Sequence, residues 1–80
     1  MNLLVWNCNG LGNPRTKNEL VSIVHVKDPS VVFIVETWAD DTSLDRVLRK
    51  IELDQKWVVL RSGKGGGLVL FWKNSINLKV

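Results

Sequence analysis

Residues 31–35, Val-Val-Phe-Ile-Val, constrain this chain more than any other stretch. Five consecutive apolar side chains, most of them β-branched, read as a central strand covered on both faces. Strands of that kind belong to sheets with parallel neighbours, and a parallel neighbour needs a crossover, usually a helix. The segment just before supplies one. Thr16 and Glu19 have the spacing of a capping box, so a helix is expected to start at Thr16. Leu20, Ile23 and Val24 form its apolar stripe. Asp28-Pro29 ends it, because proline disfavours helical geometry in the residue before it. Leu3-Leu4-Val5-Trp6 reads as a buried strand, and residues 10–15, punctuated by Gly10, Gly12 and Pro14, read as a loop. The result is a βαβ unit with parallel strands.

The remaining segments extend the sheet. Thr42 or Ser43 is expected to cap a second helix, whose Leu44, Val47, Leu48 and Ile51 fall at i, i+3, i+4 and i+7. Trp57–Leu60 and Leu68–Trp72 read as strands. The glycine-rich stretch between them (residues 61–67) is too short for a crossover helix, so a hairpin with a mobile tip is expected. Ile76–Val80 alternates as a further strand would. The predicted class is α/β, one domain over residues 1–80, with a mixed sheet in the order β-α-β-α-β-β-β. That sheet looks incomplete, with an edge left open.

Composition narrows the setting. The 80 residues are 45% apolar and 24% charged, which excludes a disordered chain. The single cysteine, Cys8, has no disulfide partner, pointing to a reducing compartment. Without an apolar run of membrane-spanning length or a signal-peptide pattern, the expectation is an intracellular protein, nuclear or cytoplasmic, with no membrane partner. The net charge of +3 permits a nucleic-acid partner without requiring one.

Chemistry is expected at the strand ends. Asn7 closes the first strand and Glu36 the second. On adjacent parallel strands the two would lie side by side at the carboxyl edge, where open α/β sheets bind ligands. A carboxylate beside an apolar strand is costly unless paired, and a hard divalent cation such as Mg²⁺ pairs with it through oxygen. The neighbouring amide could orient a phosphate or a metal-bound water. Taken singly, an asparagine at a strand end is ordinarily a turn residue, and a glutamate just past a strand is ordinarily solvated.

Competing motifs fare worse. Gly10-x-Gly12 before a helix suggests a dinucleotide fingerprint, but Arg15 occupies the third glycine position, the helix starts late and a hairpin follows. Lys64 is not followed by Ser or Thr, so residues 63–67 are no phosphate loop. His25 has no second ligand at metal spacing and reads as a packed or surface residue. Cys8 reads as a small buried filler. Trp6, Trp57 and Trp72 read as core, and Trp38, beyond Glu36 in a loop, as a candidate substrate contact.

Three segments together, LLVWNCNGLGNPRT, VVFIVETWAD and GKGGGLVLFWKNS, resemble the start of the endonuclease/exonuclease/phosphatase superfamily. The likeness is greatest to the endonuclease domain of LINE-type (non-LTR) retrotransposons, especially plant ones. It implies a four-layer α/β sandwich, of which this chain would be the amino-terminal part, and Mg²⁺-dependent cleavage of phosphodiesters, with Mn²⁺ as an alternative ion and DNA as partner. It implies that Asn7 holds phosphate or metal and that Glu36 binds the metal. Relatives that nick abasic DNA often carry Asp where this chain has Asn9, leaving Asn9 a substrate contact rather than a charged ligand. The family's D-x-N and S-D-H motifs and its active-site tyrosine lie beyond the matched region. The resemblance therefore implies a fragment inactive alone, whose partner is the missing carboxyl-terminal part of the same domain. The alternatives are a weakly basic module that binds nucleic acid without cutting it, and a remnant without function.

Overall fold

The computed structural model of the chain describes residues 2–59 and 66–77. Four strands and two helices alternate as β1 (Leu3–Asn7), α1 (Pro14–Lys27), β2 (Val31–Val35), α2 (Asp41–Ile51), β3 (Gln55–Val59) and β4 (Leu68–Trp72). The strands form one sheet in the order β1-β2-β4-β3. β1 and β2 are parallel, in a register that pairs Leu3 with Val31 and Asn7 with Val35. β4 is antiparallel to both β2 and β3. The expected mixed α/β sheet and its hairpin are therefore present. The further strand expected over Ile76–Val80 is not seen in its described part: Ile76 turns back to donate to the Lys73 carbonyl at 2.9 Å, and residues 78–80 lie outside the described residues.

Both helices begin earlier than capping chemistry suggested. α1 starts at Pro14, which tolerates the first helical position because its missing N–H would be unpaired there anyway. Asn13, not Thr16, is the cap, its side-chain oxygen accepting from the Arg15 N–H at 2.9 Å. The earlier start shortens the loop after β1, so loop length no longer counts against a dinucleotide fingerprint, while Arg15 and the hairpin still do. α2 is capped by Asp40 rather than Thr42 or Ser43, and its carboxylate accepts from the Ser43 N–H at 2.8 Å. That contact holds the Asp40 carboxyl below its usual range, chiefly through the backbone N–H of Ser43. α1 ends at Asp28 in left-handed geometry just before Pro29, as the Asp-Pro pair predicted.

One face of the sheet is covered. Leu4, Trp6, Val32, Ile34, Val58, Val69 and Phe71 point toward the helices and pack with Leu20 and Val24 of α1 and Leu44, Val47 and Ile51 of α2. Lys56 lies on the same face at the β3 edge, where its ammonium reaches Asp41 and Asp45 on α2. Burial pulls the Lys56 pKa down, but these two carboxylates outweigh it and leave it raised.

Among the described residues, the other face carries no helix. By alternation and register it is a grid of three rows: Asn7-Val35-Leu68-Val59, Val5-Phe33-Leu70-Trp57 and Leu3-Val31-Trp72-Gln55. Leu3, Val5, Trp57 and Val59 are exposed. Three expectations change accordingly. β1 is a half-open edge strand rather than a buried one, and Trp57 and Trp72 both lie on the uncovered face outside the core cluster, because an apolar run alone does not reveal how many layers cover it.

Candidate functional site

The carboxyl ends of β1 and β2 form a rim, and three chain segments are knitted there by backbone hydrogen bonds. The chain leaving β1 follows the chain leaving β2: Cys8 N–H donates to the Val35 carbonyl at 3.2 Å, Gly10 N–H to Glu36 at 2.9 Å and Leu11 N–H to Thr37 at 2.6 Å. On the other side, Glu36 N–H donates to the Gly67 carbonyl at 2.9 Å and Trp38 N–H to Gly66 at 2.7 Å. Thr37 is buried, and its hydroxyl donates to the same Gly66 carbonyl at 3.3 Å. The residues entering β4 are thus a wall of the rim.

This knitting holds an unusual backbone. Asn9, Glu36 and Trp38 have φ of 53°, 57° and 47°. Asparagine accepts the left-handed region readily, but glutamate and tryptophan do so at a cost of about 1–2 kcal/mol each. The other left-handed non-glycine residues among those described, Asp28 and Glu52, simply cap helices. Strain gathered at one rim, and held by surrounding hydrogen bonds, is characteristic of sites where side-chain placement matters more than stability.

All four residues singled out from sequence lie at this rim. Asn7 is the last residue of β1, exposed on the open face beside Val35. Asn9 is exposed two residues further on. Glu36 is half-buried directly after β2, and its carboxylate lies beside Gly66 together with the Trp38 indole. Trp38 is 42% exposed, enough for its ring to meet a ligand. Both helices start from this rim and turn the positive ends of their dipoles toward it, which favours an anion there. Among the described residues no group of three or more acidic, histidine or cysteine side chains could hold a metal ion, so Glu36 is not part of such a cluster.

Cys8 fills space beneath the rim, 8% exposed, with its thiol donating to the Glu36 carbonyl at 3.5 Å. Burial pushes that thiol pKa up. His25 is exposed at the opposite end of the sheet, lining a shallow hollow with Asp28, Glu52 and Lys73. It takes no part in the rim.

The residues that sequence reasoning missed are Thr37 and Gly66. Residues 63–65 lie outside the described residues. Gly66 and Gly67 are not a loop tip but hydrogen-bond partners of residues 36–38. The position of the pair, immediately before a strand that must pair with β2, signals the backbone pairing but not the side-chain constraint on Gly66.

Comparison with known proteins shows the family of the chain. The family model for the endonuclease/exonuclease/phosphatase family matches residues 4–80, nearly the whole chain, and the protein belongs to that family. No curated protein matches.

Proposed function

We propose that this chain forms part of a phosphodiester-cleaving domain of the DNA endonuclease type, derived from a LINE-type retrotransposon, with the rim of Asn7 and Glu36 as part of its metal and phosphate site. The observation that carries the reading is the strained rim itself, which gathers Asn7, Asn9, Glu36 and Trp38. Its donor chemistry fits a hard cation: a carboxylate oxygen from Glu36 and an amide oxygen from Asn7, in a setting where Mg²⁺ keeps several waters. Mg²⁺, or Mn²⁺ in its place, supplies charge neutralisation at a phosphate oxygen. Glu36 holds the ion weakly, Asn7 orients a phosphate oxygen or a bound water, and Asn9 and the Trp38 ring contact the nucleic acid.

These 80 residues are proposed to be inactive by themselves. The sequence holds no tyrosine, and its one histidine, His25, is at the far end of the sheet, so neither a histidine base nor a tyrosine stands near Glu36. The open apolar face supports a further part of the same domain as its cover, completing a four-layer sandwich. Supercoiled plasmid incubated with the chain and Mg²⁺ tests the reading. The expected result is no nicking above background. Robust nicking that disappears in Glu36→Ala would overturn the proposed inactivity. DNA binding that is salt-sensitive but indifferent to both Mg²⁺ and Glu36 would favour a non-enzymatic, weakly basic module instead.

A further inference from the structure

Gly66 and Gly67 are adjacent, yet they are glycine for different reasons. Gly67 has φ of 83°, a conformation that disfavours any side chain. Gly66 is outside that region, so its backbone would accept alanine without strain. What it lacks is room. A Cβ placed on Gly66 would fall 2.7 Å from both Cε2 and Nε1 of the Trp38 indole, and closer still to Oε2 of Glu36. Real Cβ atoms do not approach other atoms so closely, so something must move.

The candidates for movement are unequal. The segment 36–38 is tied by its own N–H groups to the carbonyls of Gly66 and Gly67, so the backbone cannot withdraw without losing hydrogen bonds. The Glu36 carboxylate is the far end of a flexible side chain and swings away at small cost. The indole ring is stiffer and must tilt. The cost of a methyl group at position 66 therefore falls on the positions of the two side chains rather than on the fold.

We infer that Gly66 is a positioning residue: its bare Cα lets the Glu36 carboxylate and the Trp38 indole lie together against the mouth of β4. This deepens the proposed function, resting on it only where Glu36 is taken as a cation ligand.

The test is ¹⁵N-correlated NMR of the full chain, reading the four tryptophan indole cross-peaks, with that of Trp38 assigned by its loss in Trp38→Phe. Without metal, Gly66→Ala should displace the Trp38 peak and leave those of Trp6, Trp57 and Trp72 in place. With Mn²⁺, paramagnetic broadening of the Trp38 peak in the wild-type chain should require roughly 10-fold more ion, or greater, in Gly66→Ala. An unmoved Trp38 peak, or collapse of all four peaks through unfolding, would overturn the inference. A wild-type chain with no Mn²⁺ response would overturn Glu36 as a cation ligand, and displacement of the metal-free Trp38 peak would still support Gly66 as the positioning residue.

Discussion

Glu36 carries a conflict between stability and site. Its φ of 57° suits glycine better than glutamate. Glu36→Gly should therefore stabilise the fold by about 0.5–1 kcal/mol, the relief of left-handed strain exceeding the extra chain entropy of glycine. Under the proposed function the same change removes the carboxylate that would hold Mn²⁺ at the rim, and denaturant melts beside metal titrations check both halves. Cys8 gives a second expectation. Its thiol is buried and its pKa raised, so the folded chain should react with a disulfide reagent at pH 8 far more slowly than the unfolded chain. The sign of the linkage follows: the contribution is fully present below the unfolded thiol pKa and is lost as pH rises through the higher folded value. The place of Asn7 and Glu36 at the carboxyl rim was legible in the sequence because each closes an apolar run. Gly66 was not, because its constraint comes from side chains about thirty positions away, which no local pattern records.

At the scale of elements, α2 was the most readable part of the chain. Leu44, Val47 and Ile51 occupy one face and are all buried. Leu44→Ala should cost about 2–5 kcal/mol, a large share of the stability of so small a domain, measured by urea denaturation. The helix starts were less readable, for a specific reason. Asn13-Pro14 and Asp40 compete with Thr16, Thr42 and Ser43 as caps, and the choice depends on where the preceding strand releases the chain. Asp40 adds a pH dependence. Its folded pKa is lowered, so its support for α2 is present above the unfolded carboxylate pKa and disappears as pH falls through the folded value. Thermal melts of Asp40→Ala should fall below wild type at pH 7 and converge with it in acid.

For the whole molecule, the open face decides behaviour in solution. Its three rows are apolar apart from Asn7 and Gln55 at opposite corners. Such a patch associates unless covered. The chain alone should bind a hydrophobic dye and form oligomers by light scattering. Val5→Glu together with Trp57→Glu should suppress both with little loss of melting temperature, since both residues are already exposed. The sequence showed which residues are apolar but not that one layer ends there, because covered and uncovered faces are written in the same amino acids. The strand order has a consequence in time as well as space. β2 lies between a neighbour from earlier in the chain and one that ends at Trp72. On a ribosome, the first helical crossover can emerge and compact while the middle strand still waits for its second partner. The rim cannot close until β4 is synthesised, because Gly66 and Gly67 at its start supply the carbonyls that hold residues 36–38.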